Sequence, residues 1–146
     1  MQGRAGMLDR RAWHELELHF IGPRLPSGRL NAQLPARGGL TARQQRRIAD
    51  FIEEHLAEDL PLAALAALAG LSSYHFARAF KQSFGVPPHR YHTGRRIERA
   101  KTLLRTSSRS VTEVALAVGF AETSSFSAAF RKITGRAPSN YRREVE

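Results

Sequence analysis

The stretch PLAALAALAGLSSYHFARAFKQSFGVPPHRY at 61–91 decides the fold, because it recurs at 110–141 as SVTEVALAVGFAETSSFSAAFRKITGRAPSNY. Leu65-Ala66 and Gly70-Leu71 match Val114-Ala115 and Gly119-Phe120 at an offset of 49. Beyond the turn the offset is 50: Phe76 with Phe126, Phe80 with Phe130, Gly85 with Gly135, Pro88 with Pro138, and Tyr91 with Tyr141. One residue inserted in the second turn accounts for the step. A unit of helix, glycine turn, helix, glycine, proline and tyrosine is therefore built twice.

Each copy has the logic of a helix-turn-helix. The first helix is small and apolar, with Leu62, Leu65, Ala66 and Ala69 in one copy and Val111, Val114, Ala115 and Val118 in the other. Gly70 or Gly119 supplies the left-handed residue that stops it without a steric cost. The second helix carries Phe at i and i+4, which puts both rings on the side facing the core. What remains outside is short, polar or basic: Ser73, Tyr74, Ala77, Arg78 and Lys81, then Thr123, Ser124, Ser127, Ala128 and Arg131. Such a surface suits a DNA major groove, where Arg meets guanine and short side chains permit close approach.

Outward from the repeat, the helical signals continue. Thr41 can cap a helix whose apolar stripe is Ile48, Phe51, Ile52 and His55/Leu56. Pro61 opens the Ala/Leu-rich helix that Gly70 ends, and Ser72 can cap the next, closed by Gly85. Pro87 and Pro88 start a long helix through about Leu104, with Ile97, Ala100, Leu103 and Leu104 inward. Strand-like alternation is absent, so the expected fold class is all-α. Residues 1–40 read as a separate region: a short amphipathic helix on Leu8, Ala12, Trp13, Leu16 and Phe20, then a linker broken by Pro23, Pro26, Gly28, Pro35, Gly38 and Gly39. His14-Glu15 and His19 imitate a zinc-protease motif, but two His five apart on a helix point roughly 140° apart and cannot share a metal.

Charge narrows the function. The 146 residues carry 23 Lys and Arg against 13 Asp and Glu, a net +10. Every charged residue from Ile48 to Gly70 is acidic, whereas from Leu71 onward 14 Lys and Arg face 5 Asp and Glu. A field so polarised turns one face toward an anion, nucleic acid first and an anionic membrane surface second. With zero cysteines, disulfides, thiolate catalysis and cysteine-ligated zinc are excluded. No apolar run approaches the ~20 residues that span a bilayer, and Met1–Asp9 is followed by charge rather than a signal-peptide core. No nucleophile elbow, phosphate loop, paired-carboxylate site or metal cluster is written in the chain, His75, His89 and His92 included, so neither catalysis nor a cofactor is expected.

The run Leu65–Lys81, the bridge Arg96-Ile97-Glu98-Arg99-Ala100-Lys101-Thr102-Leu103-Leu104 and the stretch Ala115–Arg142 together resemble the DNA-binding domain of the AraC/XylS family of bacterial transcription regulators. The last is the most specific, with Gly119-Phe120, Phe126, Phe130, Gly135, Pro138 and Tyr141-Arg142. The resemblance covers about 41–143. It implies seven helices, with one helix-turn-helix at about 61–84, a linker helix at about 88–105 and a second helix-turn-helix at about 110–134. Both recognition helices would meet successive major grooves on one DNA face, ~34 Å apart. Carried over by position, the base-facing residues are Tyr74, Ala77 and Arg78, then Thr123, Ser124, Ser125 and Ala128. Ala77 and Ala128 lie where relatives often carry longer polar side chains, which reduces readout there to a methyl contact and puts more of the discrimination on Arg78.

Ser73, Lys81, Arg131 and Lys132 are expected on phosphates, and Arg90 and Arg95 either there or on a solvated face of the long helix. Arg96 and Arg99 stand between a phosphate role and a solvated helix face. Phe76, Phe80, Phe126 and Phe130 are expected in the core, and Glu98 is expected to pair with a neighbouring arginine, Arg95 first, although the sequence does not decide which. The implied partner is double-stranded DNA, with RNA polymerase as a candidate second partner, in the bacterial cytoplasm at the nucleoid. A non-specific cationic binder of nucleic acid or membrane surface is the competing class. The family usually places a sensing domain, often a β-barrel, ahead of this region. Forty residues without strand pattern cannot make one, so no small-molecule effector is expected on this chain.

Overall fold

The computed structural model describes residues 38–145. The short helix expected at Leu8–Phe20, the His14/His19 pair and the linker up to residue 37 lie outside the described residues. Seven helices and no strands follow in the described chain: α1 Ala42–Glu54, α2 Leu62–Ala69, α3 Ser73–Phe84, α4 Pro88–Thr106, α5 Val111–Ala117, α6 Thr123–Thr134 and α7 Pro138–Val145. They divide into an N-terminal unit of residues 38–55 and 60–92, and a C-terminal unit of residues 56–59 and 93–145.

In the N-terminal unit, α1 starts on a reciprocal cap. The Thr41 hydroxyl accepts the Gln44 amide at 3.0 Å, and the Gln44 side chain accepts the Thr41 amide at 2.8 Å. Two otherwise orphaned N–H groups are thereby satisfied, a device worth about 1 kcal/mol. Ile48 and Ile52, four apart, turn the same face inward and are buried. The Gln44 amide nitrogen also donates to the Ala69 carbonyl at 3.1 Å, fixing the start of α1 against the end of α2. Just ahead of α1, Leu40 is itself core: it is buried, its N–H donates to Ser83 Oγ at 2.8 Å, and its carbonyl accepts from Gln45 at 2.9 Å.

Gly70 ends α2 at φ +72, and Ser72 caps α3 by accepting the His75 amide at 3.1 Å. In the C-terminal unit Ser110 and Glu113 repeat the reciprocal cap at the start of α5. The core there combines Ile97, Ala100 and Leu104 of α4 with Val114, Ala115 and Val118, with Phe120 of the turn, and with Phe126, Ala129 and Phe130 of α6. Leu103, Val111, Ile133 and Tyr141 close its edge.

Arg96 departs from both expectations held for it. It is neither a phosphate contact nor part of a solvated face, because only 3% of it is exposed. Its Nε–H donates to the Leu56 carbonyl at 2.9 Å and its Nη2 to the Glu58 carbonyl at 3.0 Å. The guanidinium also lies 5.6 Å from the centroid of the Phe120 ring. Burial pulls its pKa down to about 10, against the opposing attraction of Asp59, so it stays charged at neutral pH. A buried cation is tolerated because both carbonyls and a carboxylate answer it. Glu98 pairs with Lys101 at 3.1 Å, one turn along on the partly exposed side of α4, and not with the arginine expected, because i,i+3 spacing brings the Lys101 ammonium within reach.

Candidate nucleic-acid interface

The outward faces of α3 and α6 are fixed by what their inward faces bury. In α3, Phe76, Ala79 and Phe80 lie at i, i+3 and i+4 and are all buried. Phe84 stacks on Phe80 at 4.1 Å between centroids, and Tyr91 meets both rings edge-on at 5.6 and 5.0 Å. Four aromatic rings thus lock the helix in rotation. Burying one Phe side chain is worth about 1.5–3 kcal/mol, so no modest surface interaction can turn this face outward. α6 repeats the arrangement: Phe126, Ala129 and Phe130 are buried, with Phe120 edge-on to Phe126 at 5.5 Å and Tyr141 edge-on to Phe130 at 5.4 Å.

Opposite that packing, α3 presents Tyr74, Ala77, Arg78 and Lys81 at i, i+3, i+4 and i+7, one stripe along the helix. Tyr74 is 67% exposed, unusual for so large a ring. Arg78 and Lys81 are exposed as well, while Ala77 and Ser73 are half-buried. Arg78 Nη1 donates to the Tyr74 hydroxyl at 3.4 Å, and its guanidinium lies 5.6 Å from the Tyr74 ring centroid. The structure therefore brings two expected base-facing residues into contact with each other. The i,i+4 spacing of Tyr74 and Arg78 carried that signal in the sequence.

The corresponding stripe of α6 is Ser124, Ser127, Ala128 and Arg131; Ser124, Ala128 and Arg131 are exposed and Ser127 is half-buried. Thr123 and Ser125 are half-buried, and the Thr123 hydroxyl donates to the Thr112 hydroxyl of α5 at 3.3 Å. Glu122 stands at the N-cap of α6 without a capping side-chain bond, where Ser72 supplies one in the first copy. Lys132 is half-buried at the end of α6, and Arg90 and Arg95 are half-buried along α4, whereas Arg99 is exposed. A second strut, half-buried, went unread in the sequence. Arg142 of α7 donates from Nε to the Leu104 carbonyl at 3.1 Å and from Nη2 to the Ser107 carbonyl at 3.2 Å.

Among the described residues no group of three or more His, Cys, Asp or Glu could hold a metal ion, and no helix is long and apolar enough to cross a membrane.

A family model described as a helix-turn-helix domain matches residues 65–144, which takes in both repeats and the helix between them. The probable transcriptional regulator LumQ of Photobacterium leiognathi is 36% identical over 94 residues, 64% of this chain and 38% of LumQ. The chain thus spans under two-fifths of that relative's length. A crystal structure of a transcriptional regulator from Chromobacterium violaceum, of the type containing an AraC-type DNA-binding domain, superposes with a TM-score of 0.67 at 28% identity, covering 70% of this chain and 92% of that one. The DNA-binding domain of AdpA, a global transcriptional factor solved in complex with a target DNA, gives a TM-score of 0.65 at 33% identity over 68% of this chain and 89% of its own.

Proposed function

The chain belongs to the helix-turn-helix family of AraC-type transcription regulators, and on that premise we propose that it binds double-stranded DNA sequence-specifically and regulates transcription, inserting α3 and α6 into successive major grooves. One observation carries the reading: a duplicated unit holds each of two helices by a pair of fully buried phenylalanines and leaves a polar, basic stripe outside. Helices so held are rigid probes, which a groove can read without the ordering cost that a flexible segment pays.

In this reading Tyr74, Ala77 and Arg78 face bases from α3, and Thr123, Ser124, Ser125 and Ala128 face them from α6. Ser73, Lys81, Arg131, Lys132, Arg90 and Arg95 meet phosphates, which set register without carrying sequence information. Arg78 is the one side chain of the base-facing set with the paired donors that guanine O6 and N7 demand. The regulator works on DNA at the nucleoid and through RNA polymerase, as a non-enzymatic protein; its kinship with transcriptional regulators supports that placement.

Selection from a random duplex library tests the proposal. The expected result is a single bipartite motif, bound on the order of 10⁻⁸ M at physiological salt, that random duplex competes poorly. Enrichment of no sequence, with random duplex or anionic vesicles competing as well as any selected site, would leave only a charge-driven binder.

A further inference from the structure

α3 and α6 are the same probe with different tips. Both have twelve residues, both bury i, i+3 and i+4, and both close on a left-handed glycine, Gly85 or Gly135. At the fifty-residue offset, Tyr74 corresponds to Ser124 and Arg78 to Ala128. One copy therefore carries a contacting aromatic–guanidinium pair where the other has a hydroxyl and a methyl.

We propose that Tyr74 is a positioning residue that holds the Arg78 guanidinium as a guanine-reading fork, and that this pair makes the two halves of the DNA site chemically unequal. The inference rests on the DNA-binding reading above and adds which half is specified, and by what. An exposed arginine on a helix samples many rotamers, and freezing them costs binding free energy. The Tyr74 hydroxyl accepts from Nη1 and its ring lies beside the cation, so part of that freezing occurs before DNA arrives. The bond to Nη1 leaves the edge formed by Nε and Nη2, with two parallel N–H groups, to meet guanine O6 and N7. Within the base-facing set named above, Tyr74 thus acts through Arg78 rather than on a base of its own, and this positioning role replaces the direct base contact given to it there. The α6 tip offers no such fork. The Ala128 methyl can touch the thymine 5-methyl, and Ser124 hydroxyl hydrogen-bonds tolerantly, so the second half-site is keyed to thymine and groove shape.

The test takes the full chain, the motif selected by wild type, and point variants of that motif, measured by titration at several salt concentrations. Both tips are exposed, so melting curves should match wild type and separate recognition from folding. Wild type should show a guanine requirement in one half-site only, and Arg78→Ala should abolish it. Tyr74→Ala should weaken preference at that same base pair by about two- to five-fold, the scale of an exposed cation–ring contact, with the salt dependence unchanged. In an Arg78→Ala background it should have no further effect. Transplanting the pair as Ser124→Tyr with Ala128→Arg should create a guanine preference of about ten-fold in the other half-site. Replacing thymine by deoxyuridine should weaken binding in that half-site for wild type.

The idea is overturned if Tyr74→Ala shifts preference at a different base pair, or is equally harmful without Arg78, or if the transplant adds no guanine preference. A wild-type chain that selects no motif sinks the DNA reading itself, and that result is distinct from all three.

Discussion

Gly70 and Gly119 occupy the same turn of the two repeats, yet alanine should be far worse at one than at the other. Gly70 has φ +72, and a β-carbon built on it meets nothing within 4 Å. Gly119 has φ +104, and its β-carbon would lie 2.7 Å from both Cζ and Nη2 of Arg96 and 2.9 Å from the Ala57 Cα. Gly70→Ala therefore incurs left-handed strain alone, about 1–2 kcal/mol, offset by about 0.4–1 kcal/mol because alanine restricts the unfolded chain. Gly119→Ala carries about 1–3 kcal/mol for a less populated backbone conformation, and about 1–3 kcal/mol more for forced overpacking. The same unfolded-state offset applies, so the loss is about 1–6 kcal/mol, centred near 3.

For a domain of this size each kcal/mol moves Tm by about 4–8 °C, so mid-range losses put Gly119→Ala about 13–26 °C below wild type and Gly70→Ala about 3–6 °C below it. Thermal and urea melts followed by helical circular dichroism make the comparison. Arg96→Ala provides the internal control: in that background the Gly119→Ala step should cost less, because one of its two obstacles is gone while Ala57 remains. Equal losses for the two glycines, or an unchanged cost without Arg96, would refute the assignment of Gly119 to close packing against that guanidinium.

Three further outcomes follow from the same structure. Phe126, fully buried, should lose about 3–5 kcal/mol on Phe126→Ala; unchanged melting would mean that the ring is not core. Glu122→Ser should gain about 0.5–1 kcal/mol by giving α6 the cap that Ser72 gives α3, and an unchanged or lower melting temperature would contradict it. On DNA, Arg78→Ala should cost about 1–3 kcal/mol at the specific site and relax one base position, while Lys81→Ala should weaken all sequences alike and lower the salt slope by about 1; the reverse assignment would appear as the reverse pattern.

The repeat was legible because its determinants are local. Spacing of Phe76 and Phe80, or of Phe126 and Phe130, states which face of a helix is buried, and the glycines and caps state where it ends; Thr41, Ser72, Gly70 and Gly85 perform those tasks as their identities imply. The destination of an arginine is written elsewhere. Arg96 reads as one of six Lys and Arg residues on α4, and only the folded chain brings the carbonyls of Leu56 and Glu58, 40 and 38 residues away, within reach of it. Leu40 was hidden for a related reason. It follows Gly38 and Gly39 and so reads as linker, yet the hydroxyl that receives its amide is 43 residues away on α3. The Tyr74–Arg78 contact lies between these cases, since the spacing is local but the rotamers that bring the groups together are not.

Charge counting suffers from the same limit. Arg96 and Arg142 belong to the basic C-terminal half, but each spends its guanidinium on two main-chain carbonyls in the segment leading into a helix-turn-helix: Leu56 and Glu58 ahead of α2, and Leu104 and Ser107 ahead of α5. Only a planar fork with donors at both Nε and Nη2 can hold two such carbonyls at once, so lysine would not replace either residue. Both struts belong to the C-terminal unit, one on α4 and one on α7, and they are not copies of each other, since at the fifty-residue offset Arg142 corresponds to His92. Both guanidiniums keep their charge, but their donors at Nε and Nη2 are taken, so in the proposed DNA complex direct phosphate contact falls to the cations that remain outside. Affinity that depends on salt should therefore track Lys81, Arg131 and their exposed neighbours, while the struts act on the stability of the C-terminal unit.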